Sequence, residues 1–275
     1  MFRKLWKYEW TAMMRSMFPI YGAVLAVSAV YGFILQNSLV RRLLPISVLN
    51  YAEPVVIMIY AAAIGALVVF SILMTVQRFY KGLLKQEGYL MFTLPVRVRS
   101  LVLSKACVSL VMGVCSVAVA VISVGFMAGT VFVGFFSGLQ DLMAELISLM
   151  KLEPETFAHG SLFAAEFAAA GIAAAFAVVY RLYLAMSLGQ LSGNHKAGCS
   201  ILWYVAVSTL RSLLGMIALG AFFGGFVQDK PGAFQMSGYA ALHVMGAGLL
   251  AVNLAELLVY LLGTEYLLKN RLNLE

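Results

Sequence analysis

Apolar residues in this chain come in long, nearly unbroken runs, not at the spacing of a half-buried helix or strand. Six such runs cover residues 18–36, 54–77, 101–136, 161–188, 200–227 and 239–264. Crossing the hydrocarbon core of a bilayer takes roughly 20 helical residues, and the helix satisfies its own backbone polar groups on the way. Each run therefore predicts a transmembrane helix. The third is too long for one straight crossing, and Gly113, Gly125, Gly129 and Gly134 within it predict a break, a tilt or an extension beyond the bilayer. Residues 1–16 follow a different pattern. At about 100° per residue, Phe2, Leu5, Trp6, Trp10, Met13 and Met17 share one face, and Arg3, Lys4, Lys7, Thr11 and Arg15 share the other. This predicts an interfacial amphipathic helix, with tryptophans at headgroup depth and cations toward anionic lipid. Glu9 falls on the apolar face, where lipid offers it nothing, so it is expected to dock on another part of the protein. The expected fold is all-α: a polytopic membrane protein with six transmembrane helices and an N-terminal amphipathic interfacial helix, forming one transmembrane domain over residues 1–275.

Composition narrows the function classes. Of 275 residues, 63% are hydrophobic and 11% charged, against about half and a quarter in soluble domains. That excludes a soluble enzyme, a nucleic-acid-binding module and a disordered chain. The spans use so much of the length that only connectors remain. With a net charge of +7, the question becomes which side the cations occupy. Arg3, Lys4, Lys7, Arg15, Arg78, Lys81, Lys85, Arg97, Arg99, Lys105, Arg181, Lys196, Lys269 and Arg271 fall on one side; Arg41, Arg42, Lys151 and Lys230 fall on the other. The second side also carries Glu53, Asp141, Glu145, Glu153, Glu155 and Asp229. The positive-inside rule then puts both termini in the cytoplasm, as an even number of spans requires, and the chain in the cytoplasmic membrane. Val27-Ser28-Ala29 looks like a signal-peptide cleavage site, but the basic stretch before the apolar run is longer than such a signal needs. The segment is read as retained.

No catalytic constellation is visible. The chain lacks a G-x-x-x-x-G-K-[ST] phosphate loop, an H-E-x-x-H pair and any paired-cysteine metal pattern. His159, His195 and His243 lie in three separate segments and read as loop or packing histidines. Cys107, Cys115 and Cys199 form no disulfide framework. Catalytic residues, metal ligands and cofactors bound by this chain are therefore expected to be none. Ionisable groups inside spans are the default functional candidates. Arg211, in the fifth run, needs a partner or water, and Glu256 in the sixth is at a suitable depth, with Asn253 nearby to help. Glu166 is read as interfacial. Small residues spaced as G-x-x-x-G (Gly220 and Gly224, Gly125 and Gly129, Gly134 and Gly138) and nine alanines over 164–177 suit close helix approach or a dimer interface.

The most informative segment is the connector over residues 78–100. It starts basic and then presents Glu87, Gly88, Tyr89, Leu90, Met91, Phe92, Thr93, Leu94 and Pro95 in succession. A water-exposed loop does not carry so many large apolar groups unless something covers them. Pro95 removes a backbone donor and pushes Leu94 out of helical geometry, so a short helix is expected to stop there. The result is an apolar knob flanked by cations, suited to a soluble partner or to the lipid surface.

Together with the layout of the spans, the run R-F-Y-K-x-L-L-x-x-E-G-Y-L-M-F-T-L-P-V from Arg78 resembles the permease subunits of ABC exporters whose ATPase is a separate chain. The likeness is to the form common in Gram-positive bacteria of the clostridial kind. A second match is Ser187-Leu188-Gly189-Gln190-Leu191, followed by the polar turn Ser192 to Lys196. The resemblance implies a permease that pairs with itself or with a sister permease, above two soluble ATPase subunits that bind ATP and Mg. Glu87, Gly88, Tyr89, Leu90, Phe92, Leu94 and Pro95 would form the coupling helix, and Gly189 and Gln190 a second contact. The N-terminal helix, with Trp6, Glu9 and Trp10, would lie on the inner membrane surface with Glu9 available to the coupling region. In that family short extracellular helices lie between the last two spans; here residues 228–238 are too short to hold much of one. Two other readings fit the residues alone: a membrane anchor that recruits a soluble protein but transports nothing, and an ion-coupled secondary transporter. The second is disfavoured by the lack of an inverted repeat and of intramembrane acids other than Glu256.

Overall fold

The computed structural model describes residues 2–36, 46–84, 97–128, 131–152, 154–192, 195–227 and 238–270. Among them there is no strand. The helices are α1 (Phe2–Gln36), α2 (Ile46–Phe79), α3 (Val98–Ala128), α4 (Val131–Leu152), α5 (Pro154–Gly189), α6 (Lys196–Val227) and α7 (Gly238–Asn270). A π-helical turn, Tyr80–Leu84, continues α2. Six of the seven are long and apolar enough to cross a membrane; α4 is the exception. Their outward faces carry rows of Leu, Ile and Val that water would not tolerate. In a bilayer those rows face hydrocarbon at no cost. This is an all-α, multi-pass membrane protein.

Two expectations change in detail. The amphipathic start and the first apolar run are one continuous helix, α1, which passes through Pro19, where one backbone donor is missing. The third run does break: α3 ends at Ala128 and α4 begins at Val131. Asp141 and Glu145 on α4 are exposed, and so are Leu142, Met143, Ile147 and Met150. Residues 131–136 thus open a mixed apolar and acidic helix and do not extend a span.

The chain forms two compact units, one of residues 1–78 and 103–154, the other of residues 79–102 and 155–275. In the first, the buried side chains of α1 include Glu9, Met13, Met17, Tyr21, Val24, Ser28 and Tyr31. These recur every three or four positions, which puts them on one helical face. Met17, Tyr21 and Val24 pack with Leu67 of α2, joined by Phe70, Met74, Cys115 and Val119. One turn toward the N-terminus, Met13 packs with Val108 and Met112 of α3, and Trp10 lies against that cluster. The Tyr21 hydroxyl donates to the Met112 carbonyl at 3.1 Å and lies 2.9 Å from Ser116 Oγ, and Tyr60 pairs with Ser123 at 2.8 Å. Each phenol thus finds a partner where water is absent.

In the second unit α5 and α7 run in parallel, because their contacts keep a nearly constant sequence separation of 77–84 residues. The register depends on small residues. A Cβ on Gly246 would sit 2.6 Å from Glu166 Oε2, and one on Gly263 would sit 3.0 Å from Leu184 Cδ1. Ala170, Ala173 and Ala177 are buried on the facing stripe of α5. These three alanines of the alanine-rich run therefore serve packing within the chain, in the way small residues let membrane helices approach.

Candidate functional site

The knob residues Glu87, Gly88, Tyr89, Leu90, Phe92, Leu94 and Pro95 lie outside the described residues. Both of their anchorages are described. Before the knob, Phe79 is fully buried and stacks on Tyr183 of α5, ring centroids 4.0 Å apart at 13°. The π turn that follows buries Gly82, Leu83 and Leu84. After it, α3 begins at Val98, and Arg99 is paired with Glu265 near the end of α7. One foot of the connector is therefore fixed to α5 and the other to α7. Turns of π geometry recur where function needs a locally altered helix.

Lys105, less than two turns into α3 beyond Arg99, forms an ion pair with Glu9 of α1. Both side chains are buried, at 4% and 6% exposure. This is the dock expected for Glu9, but it moves Lys105 out of the connector and into a helix interior. Arg181 moves likewise: it is buried within α5 and does not lie in a loop. With those two removed, the charge asymmetry between the two sides still stands at twelve to four. Of the two tryptophans, Trp10 packs on the Met13 cluster, while Trp6 is 38% exposed.

Gly189 and Gln190 sit where α5 turns into α6. A Cβ on Gly189 would run into Ser200 Oγ and lie 2.7 Å from Ser200 Cα and N, a collision with backbone. Ser192 N donates to the Gly189 carbonyl at 3.2 Å, and Cys199 Sγ donates to Ser192 Oγ at the same distance. The Gln190 side-chain amide nitrogen is enclosed without a partner among the described residues, and the residue presented outward is Leu191. Gly189 is thus a close-approach residue within the fold.

The intramembrane pair forms. Arg211 Nε donates to both carboxylate oxygens of Glu256, at 3.0 and 2.9 Å. Asn253 does not assist it; its amide donates to the Ala170 carbonyl on α5 at 3.2 Å. A second arginine that the sequence assigned to a loop joins this region. Arg181 Nη1 donates weakly to Ser208 Oγ at 3.5 Å, its guanidinium lies 5.8 Å from the centre of the Tyr260 ring, and its Nε has no partner among the described residues.

At the other end of the same helices, residues from separate segments meet. His243 Nδ1 lies 3.2 Å from Glu166 Oε2, and His243 Nε2 lies 3.1 Å from His159 Nδ1. The contacts are satisfied when His243 donates to the carboxylate through Nδ1 and one of the two imidazoles donates to the other between His243 Nε2 and His159 Nδ1. His159 also stacks on Tyr239, whose hydroxyl is 2.9 Å from Thr156 Oγ1. Glu166 is therefore held by a partner helix. Nothing in the one-dimensional spacing could have brought these residues together. Among the described residues no group of three or more His, Cys, Asp or Glu is arranged to hold a metal ion.

No family model, curated protein or solved structure matches the chain.

Proposed function

We propose that this chain is the transmembrane permease subunit of an ATP-driven exporter, with hydrolysis carried out by a separate soluble ATPase that binds ATP and Mg. In this reading both termini are cytoplasmic, the protein lies in the cytoplasmic membrane, and it pairs with a second permease, identical or a sister chain. Residues 87–95 insert into the ATPase. The observation that carries the reading is the anchoring of the connector on both sides of that segment. A push on the knob reaches α5 through the Phe79–Tyr183 stack and α7 through the Arg99–Glu265 pair. A loop that only held a scaffold partner would not need to be tied at both ends to separate helices. Such ties suit a lever: the buried Phe79–Tyr183 stack moves with its helices, and the more exposed Arg99–Glu265 pair links the start of α3 to α7.

Mechanistically, closure of two ATPases on ATP would drive the two knobs together. Each knob would then tilt α5 and α7, reshaping the path between the two permeases. Leu94→Asp, and separately Tyr89→Ala combined with Pro95→Ala, test this. The variants should insert in normal amounts but release the ATPase and lose transport. Full retention of partner and transport in both would refute the assignment.

A further inference from the structure

We propose that Arg181 and Arg211 form the binding site for the anionic group, a phosphate or carboxylate, of an amphiphile entering from the bilayer. Arg181, Arg211 and Glu256 gather on α5, α6 and α7, two cations against one anion. Glu256 is committed to Arg211 through Nε alone, so both terminal nitrogens of Arg211 meet no acceptor among the described residues. Arg181 is only 7% exposed, yet among the described residues its guanidinium meets a distant serine hydroxyl and the ring and hydroxyl of Tyr260, and no carboxylate. Its Nε is enclosed and unpaired. Guanidinium groups carry five donors each and stay charged. Two of them together therefore leave a field with one net positive charge and several unused donors, which one anion would complete.

Geometry points the same way. Ser208, beside Arg181, and Arg211 are one turn apart on α6. Tyr260, beside Arg181, and Glu256 are one turn apart on α7. The residues that contact the two guanidiniums are therefore one helical turn apart, roughly 5 Å, a span that the oxygens of one phosphate or carboxylate can bridge. The Arg211 side chain is 40% exposed, and none of the apolar window of α6 is buried. An apolar tail could lie along that face while the anionic head reaches the arginines. Arg211 sits near the middle of the 32-residue α6, at a depth that the headgroup of a resident lipid does not normally reach. That depth favours a molecule in transit. The site itself does not rest on the ATPase reading; only its assignment to cargo does.

The test uses the purified full chain in maltoside micelles and three twelve-carbon probes: dodecyl phosphate, dodecylphosphocholine and dodecyltrimethylammonium. Dodecyl phosphate should bind saturably and the cationic probe should not. Arg181→Gln and Arg211→Gln should each weaken the phosphate probe about tenfold, equivalent to about 1.4 kcal/mol. Glu256→Gln should instead tighten it, because the competing carboxylate is gone. A purely structural pair would predict weaker binding in all three variants, and that result would overturn the proposal. Equal binding of anionic and cationic probes, or binding unchanged in both arginine variants, would do the same. Native mass spectrometry from phosphatidylglycerol nanodiscs separates the sources. A retained lipid lost on Arg211→Gln identifies a resident headgroup; binding of the single-chain probe alone identifies cargo, and either outcome supports the site. Because no ATPase is present, failure here leaves the permease reading intact.

Discussion

The Glu9–Lys105 pair offers the sharpest test of how the connector is tied to the rest of the protein. Replacing Lys105 with Met keeps the length and apolar stem of the side chain but removes the charge, leaving Glu9 enclosed at about one-twentieth of its free exposure. Breaking a buried pair by removing one partner costs about 3–5 kcal/mol, because the remaining charge has neither water nor a counter-ion. At 2–4 °C per kcal/mol for a chain of this size, melting should fall by roughly 6–20 °C. Glu9→Gln alone leaves the ammonium unpaired and should cost a similar amount. The double variant removes both charges and should recover most of the loss, since a buried pair contributes little compared with an apolar replacement. The assay is thermal unfolding in one detergent, followed by intrinsic tryptophan fluorescence, on all four proteins of the cycle. A single variant melting within 2 °C of wild type, or a double variant no better than the worse single one, would refute the reasoning.

Three further outcomes follow from the geometry. Gly189→Ala should lower yield and melting by an amount at or above the 1–3 kcal/mol typical of overpacking, because its new methyl would meet the Ser200 backbone; unchanged melting would contradict that approach. Arg211→Glu and Glu256→Arg should each destabilise, and together they should restore stability, measured by the same cycle; a double variant no better than either single one would exclude the pair. Phe79→Ala, which empties a fully buried stack on Tyr183, should cost about 3–5 kcal/mol. Copies that survive in the membrane should bind the ATPase but lose ATP-driven transport, whereas coupled transport at the wild-type rate would contradict the lever.

How far this architecture could be read from the chain varies with the physics involved. The six spans were legible because an apolar run of bilayer length has few other uses. Glu9 was legible as a docking residue because a carboxylate on an apolar helical face demands a partner. Its partner was not, because Lys105 stands beside Arg97 and Arg99 and looks like one more connector cation. Arg181 was missed for a related reason: near the end of a span, sequence does not distinguish a solvated arginine from one enclosed by neighbouring helices. The pairing of Arg211 with Glu256 followed from the cost of an isolated charge in hydrocarbon, but the turn of Asn253 toward Ala170 depends on which face of α7 meets α5. The start of α4 was absorbed into the third run because Val131 to Phe136 is as apolar as the span before it; the acids that change its character come later. The Glu166–His243–His159 chain was invisible because it is made by the parallel register of α5 and α7, which no local pattern encodes.

The central claim, that this chain is the membrane half of an ATP-driven transporter, is tested most directly by purifying it from its native membrane in mild detergent and identifying what remains bound. The account predicts a soluble ATPase in stoichiometric amount, lost when Tyr89 and Leu94 are replaced. A clean preparation that holds no ATPase, under conditions where the permease remains folded and paired, would contradict it.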